Sequence, residues 1–199
     1  MTAGRHRSFN KEVALDQAME VFWRNGYPGT SLSDLTSAIG INKPSLYAAF
    51  GNKEMLYKSA LEKYVQKHGV IHTKYLFEPD KSLNERIQCY LTSIAEMVSN
   101  PNLPSGCLVC ISTCEVGGNR IPKEALQNIL EINKVTKSSL SAFFNNEISQ
   151  GDLATTCSPE ILANYIISLQ FGLSVMARNG AKFSELKEII NISLENFSF

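Results

Sequence analysis

The chain has 199 residues, 44% of them apolar and 9% aromatic, and its 19 Lys/Arg balance 19 Asp/Glu. Those numbers suit one or two small globular units and exclude a collagen-like, low-complexity or strongly acidic disordered chain. The start, "MTAGRHRSFNKE", has no apolar core for a leader, and five Cys are an odd set, so the expected setting is a reducing cytoplasm. Zero net charge hides an asymmetry. Residues 1–67 carry nine Lys/Arg against six Asp/Glu, and residues 68–199 carry ten against thirteen. A basic first third joined to an acidic remainder suggests two jobs.

In chain order, nearly every segment has helical periodicity. Helix 10–25 starts at the N-cap Asn10, puts Leu15, Ala18, Met19 and Phe22 on one face, and stops at Gly26. "YPGT" is turn chemistry. Ser31 with Asp34 forms a capping box for helix 31–39, with Leu32 and Leu35 inward and Gly40 as the break. Asn42 caps helix 43–50; Pro44 sits in its first turn, where a missing N–H costs nothing, and Leu46 and Phe50 point inward. Asn52 caps helix 53–68, which Gly69 is expected to close, and 69–81 reads as a hinge. Ser82 with Glu85 opens a helix to about residue 99, and "NPNLPSG" is a loop. Residues 106–116 read as helix, "GGNRIP" as a loop, and Pro122 starts a helix to about 149. Ser158-Pro159 starts another to about 178. The last, about 184–197, strings Leu186, Ile189, Ile190, Leu194 and Phe197 along one stripe. No segment alternates like a strand and none repeats, so the expected fold is all-α, with about nine helices.

Three helices of about 15, 8 and 8 residues, with a Gly-containing turn between the second and third, have helix-turn-helix proportions. The second helix of such a pair enters the major groove. That explains helix 43–50, "KPSLYAAF": two anchors hold it, and Ser45, Ala48 and Ala49 leave it slim enough for a groove about 12 Å wide.

The stretch 14–56, "ALDQAMEVFWRNGYPGTSLSDLTSAIGINKPSLYAAFGNKEML", resembles the DNA-binding domain of the TetR family of repressors. The resemblance rests on Phe22, Gly26-Tyr27, Thr30-Ser31, Asp34-Leu35, Gly40, Lys43, Ser45-Leu46-Tyr47, Phe50, Lys53-Glu54 and Leu56. Ala49 departs from it, standing where the family often has His or another polar residue. The resemblance implies phosphate contacts from Tyr47 and Lys53, and from the hydroxyl and backbone N–H groups of Thr30 and Ser31 at a helix N-terminus. It further implies that Lys43, Pro44 and Ser45 face base edges, with Lys43 suited to guanine, and that Ala48 meets a thymine methyl. Arg5 and Arg7, in the N-terminal tail, would enter the minor groove or add charge.

The expected division is 1–68, the helix-turn-helix domain with a connecting helix, and 69–199, a helical effector-binding and dimerisation domain. Helix 158–178 is apolar nearly all round and is interrupted by Asn164, Ser168 and Gln170, so it reads as a buried helix rather than a membrane span. With helix 184–197 it would form a four-helix homodimer interface, as the family does, through Ile166, Leu173, Ile190 and Leu194. Cys107, Cys110 and Cys114 share a helix face and read either as small core residues or as a thiol sensor of electrophiles, oxidants or a thiophilic metal. If a sensor, Cys107 at the helix start would have the most lowered pKa. Glu115 and Arg120 would pair with a polar effector or face water. Tyr90, Met97, Cys110, Phe144 and Phe171 are aromatic or soft candidates for a cavity. His68 and His72 are spaced i, i+4, but with Gly69 between them no metal is assigned. No nucleophile motif, P-loop or dinucleotide fingerprint occurs, so no catalytic residue and no cofactor is assigned. The function that follows is a repressor that binds a palindromic double-stranded DNA operator as a dimer and is released by a small-molecule effector. The alternatives are a thiol-based regulator and a helical protein that does not bind DNA.

Overall fold

The computed structural model describes residues 9–118 and 121–195, so Arg5, Arg7, Arg120 and Phe197 lie outside the described residues. Nine α-helices and no strand occur among them: α1 (Lys11–Asn25), α2 (Leu32–Ile39), α3 (Lys43–Phe50), α4 (Lys53–Tyr64), α5 (Leu83–Val98), α6 (Leu108–Glu115), α7 (Lys123–Gln150), α8 (Pro159–Arg178) and α9 (Phe183–Glu195). Every expected cap forms. Asn10, Ser31, Asn42, Asn52, Ser82 and Ser158 each accept a backbone N–H of the following helix, and Ser31–Asp34 and Ser82–Glu85 are full capping boxes. Such side-chain acceptors satisfy N–H groups that the helix itself leaves orphaned.

Gly69 does not end the connecting helix. Beyond α4 the chain runs through a π-helical turn, Val65–Gly69, and a 3-10 segment, Val70–Phe77. Gly69 keeps helical angles there (φ −88°). Burial overrides the local signal: His68, His72 and Leu76 face inward at four-residue spacing, and His72 Nδ1 lies 2.6 Å from Ser93 Oγ on α5. The i, i+4 histidines therefore mark a continuing buried face, and the expected hinge shrinks to the few residues before Leu83.

The buried side chains form two clusters. One joins α1 to α4 through Phe22, Trp23, Leu35, Leu46 and Leu56, and it also takes in Leu108 from α6, Ile121 from the connection before α7, and Ala125 and Ile129 from α7. The other joins α5, α7, α8 and α9 around Ile87, Leu91, Phe144, Leu162, Ile166 and Ile190. The expected division at 68/69 therefore differs from the division of the core: α6 and the first turns of α7 pack with the N-terminal helices.

The dimer residues expected on α8 and α9 need correcting. Ile166, Leu173 and Ile190 are each 1% exposed and Leu194 7%, all within the protomer's own core. The apolar stripe of each helix is spent inside the chain. What α8 leaves bare is a different stripe: Ile161 and Val175 are 57% and 46% exposed, with Asn164, Ser168 and Gly172 between them. By length and composition α8 is long and apolar enough to cross a membrane, yet in this fold it packs on α5, α6, α7 and α9.

Candidate nucleic-acid interface and its seam with the helical domain

Helix α3 is held from one side only. Leu46 is fully buried and Phe50 nearly so, while Lys43, Pro44, Tyr47 and Ala48 are exposed and Ser45 is partly so. Asn42 Oδ1 accepts the Ser45 N–H at 2.9 Å, which fixes the start of the helix that would lead into a groove. Tyr47 is 44% exposed, so its ring stands off the core. Ser31 is exposed, and its hydroxyl accepts the Asp34 N–H at 3.1 Å while Asp34 accepts the Ser31 N–H at 2.8 Å. Those hydrogen bonds to Ser31 hold the Asp34 carboxyl below its usual range.

Two of the expected phosphate ligands are engaged elsewhere. Thr30 is buried, and its hydroxyl donates to Gly26 C=O at 2.6 Å. Its N–H is directed at Tyr27 C=O. Thr30 thus closes the turn instead of reading a phosphate. Lys53 Nζ donates to Tyr27 C=O at 2.7 Å and stands 4.0 Å from the centre of the Tyr27 ring. Burial lowers its pKa, and Glu115 and Asp34 pull the other way. One of its three N–H groups is committed; the ammonium is held in one place at the edge of the unit.

Sequence reasoning missed the seam that joins this unit to the helical domain. Trp23 is fully buried, and its Nε1–H donates to Gly106 C=O at 3.0 Å. Arg178, at the end of α8, donates to the carbonyls of Trp23 (3.2 Å) and Arg24 (2.8 Å) in the last turn of α1. A cation there satisfies open carbonyls and suits the negative end of the helix dipole. The hydroxyls of Tyr57 on α4 and Ser112 on α6 are 2.6 Å apart. Glu115 is partly buried, and its Oε2 accepts the Tyr27 N–H at 3.2 Å. One signal pointed here. Phe22 and Trp23 are adjacent large apolar residues, so α1 had to be covered on more than one side.

The three thiols of α6 separate. Cys107 is the N-cap; its N–H donates to Ser174 Oγ at 2.8 Å. Its thiol is approached by the N–H groups of Cys110 and Val109 and by the Tyr64 hydroxyl, but burial outweighs these and pushes its pKa up. That reverses the lowering expected from the helix dipole, because the dipole acts on a sulfur taken out of water. Cys110 is buried and pushed up to about 12 by burial, and Cys114 is exposed. Of the cavity candidates, Tyr90 is buried with its hydroxyl accepting from Gln170 at 2.6 Å, and Phe144 is fully buried. A cleft of about 540 Å³ opens elsewhere, beside the partly buried Arg86–Glu147 pair and Phe77.

Residues 14–60 match the family model described as bacterial regulatory proteins, tetR family. The HTH-type transcriptional repressor ComR of Escherichia coli (strain K12) is 31% identical over 96% of this chain and 90% of its own length. The HTH-type transcriptional regulator YezE of Bacillus subtilis (strain 168) is 29% identical over 96% of this chain and 97% of its own. Among solved structures, a triple cysteine mutant of the TetR family regulator CifR, complexed with 26-bp double-strand operator DNA, superposes with a TM-score of 0.84. It shares 33% identity and covers 98% of this chain and all of that one.

Proposed function

Since the chain belongs to the TetR family of bacterial transcriptional regulators, we propose that it is a repressor that binds a near-palindromic operator as a homodimer and is released by an effector acting on its helical domain. The observation that carries the reading is the bare face of α3, with Lys43, Pro44, Tyr47 and Ala48 exposed over the buried anchors Leu46 and Phe50. Lys43, Pro44, Ser45 and Ala48 meet base edges, while Tyr47, Lys53 and the N-terminus of α2 at Ser31 meet phosphates. Lys53 fits this role because Tyr27 already holds its ammonium in place, so little side-chain freedom is lost on binding. Working on DNA places the protein in the compartment that holds it.

Dimerisation runs through the bare stripe of α8, from Ile161 past Ser168 and Gly172 to Val175 and Met176. Gly172 meets nothing within 4 Å where a Cβ would stand, so a partner helix has room to approach closely. A two-fold dimer presents two α3 helices to two half-sites. An effector acts only by binding one arrangement of the helices better than the other; the shift then passes from α6 and α8 across the seam to α1 and α4.

The test is selection of duplexes from a random pool by the purified protein, followed by affinity against salt. Enrichment of a two-half-site sequence, with log K falling linearly in log salt, is expected. A chain that enriches nothing is not a DNA-binding regulator. A second reading, covalent release through the α6 thiols, draws support from the place of Cys107, at the start of α6 with its N–H bonded to Ser174 Oγ of α8.

A further inference from the structure

We infer that Glu115 is a positioning residue of the repressor: from the end of α6 its carboxylate holds the Gly26–Tyr27 turn, and so sets where α2 and α3 stand relative to the helical domain. The inference rests on the DNA-binding reading above.

The polar groups of that turn are held both from within it and from two other helices. Gly26 C=O accepts from the Thr30 hydroxyl, Tyr27 N–H donates to Glu115 Oε2, and Tyr27 C=O accepts from Lys53 Nζ. Gly26 has φ +69°, and a Cβ there would collide with Glu115 Oε1. The carboxylate therefore lies in the slot that the glycine leaves. Burial raises the Glu115 pKa, and the Tyr27 N–H, Arg178 and Lys53 counter it. Lys53 belongs to α4 and Arg178 to α8, so three helices converge on the C-terminus of α1 through charge and hydrogen bonds.

Four residues past Tyr27 stands Ser31, the cap of α2, and α2 packs on α3. The turn has little freedom between Tyr27 and that cap, because Pro28 fixes one φ and Thr30 is buried. A displacement of the end of α6 is thus delivered to the helix-turn-helix through one hydrogen-bonded carboxylate. The same helix carries Ser112 against Tyr57 and begins at Cys107, against Ser174 of α8. A change anywhere along α6 reaches its last residue.

Glu115→Ala removes the acceptor. Glu115→Gln keeps an acceptor of the same reach without the charge. Glu115→Asp withdraws the carboxylate by one methylene and replaces the Ala variant if that one does not fold. The probe is a duplex selected by the wild-type protein, used at a temperature where all variants are fully folded. Glu115→Ala should lose operator affinity by about fivefold or more, the low end of coupling between sites. Its salt slope should match wild type, since no phosphate contact is removed. Amide exchange at residues 27–31 should quicken without DNA present, and Glu115→Gln should restore affinity to within about twofold. A purely structural role would lower the melting temperature while leaving the affinity of folded protein unchanged, and that result overturns the proposal. So does a folded Glu115→Gln that binds no better than Glu115→Ala. A wild-type chain that selects no duplex overturns the DNA-binding reading and the inference with it. Unchanged exchange beside normal selection overturns the inference alone.

Discussion

Helices α3 and α8 each leave one face uncovered, and the two faces differ in chemistry. On α3 the bare side carries Lys43, Pro44, Tyr47 and Ala48, above two apolar anchors in an eight-residue helix. On α8 it carries Ile161, Val175 and Met176, spaced by Asn164, Ser168 and Gly172, while six buried positions fix the other side. A slim polar face with a cation at its leading end suits a charged groove read by hydrogen bonds. An apolar face relieved by small residues suits another helix. Both helices are held firmly from behind, so changes to a bare face should alter association and changes behind it should alter folding.

The largest effect is expected behind α9. Ile190→Asp buries an uncompensated carboxylate in the core of the helical domain and should remove several kcal/mol of stability. Denaturant titration should show loss of the cooperative transition, not a folded monomer. Val175→Asp, on the bare face of α8, should instead leave the transition near wild type and abolish the dimer in sedimentation. Operator affinity should then drop by about a hundredfold or more, the scale on which a second tethered half-site contributes. A stable dimer carrying Val175→Asp would move the interface to another surface.

On α3, Lys43→Ala should cost roughly 1–3 kcal/mol and relax preference at one position of each half-site. Lys53→Ala should weaken all duplexes alike and flatten the salt slope by about one unit per subunit. An unchanged slope would leave Lys53 with the Tyr27 turn alone. The smallest effect concerns α6. A mild alkylating agent at neutral pH should modify the exposed Cys114 and Cys157 before the partly buried Cys107 and the buried Cys110, with operator affinity within about twofold of the untreated protein. Early modification of Cys107 with loss of operator would favour the covalent reading.

The local grammar of the fold was legible because it depends on near neighbours. Six caps, the Gly26 and Gly40 stops and the anchors Leu46 and Phe50 all follow from spacing within one or two turns. What misled was of two kinds. At Gly69 a local stop signal lost to burial of His68, His72 and Leu76, which only the packed fold reveals. On α8 and α9 the stripe showed which residues are buried but not by what, and the protomer's own α5 and α7 proved to be the cover. The candidate DNA face was readable from motif spacing. The seam was not, because Glu115 and Arg178 meet residues 88 and more than 150 positions away.

The chain has a single tryptophan, and it sits at that seam. Trp23 is fully buried, donates its ring N–H to Gly106 C=O, and stands edge-on to Tyr64 with ring centres 4.7 Å apart. Indole emission moves to longer wavelength when the ring meets water, and it changes in intensity as neighbouring rings shift. The protein therefore carries its own optical gauge at the joint between its two cores. Without label or substitution, candidate effectors can be screened by colour: a compound that parts the N-terminal helices from α6 and α8 should redden the emission, whereas one that binds without transmitting should leave it unmoved.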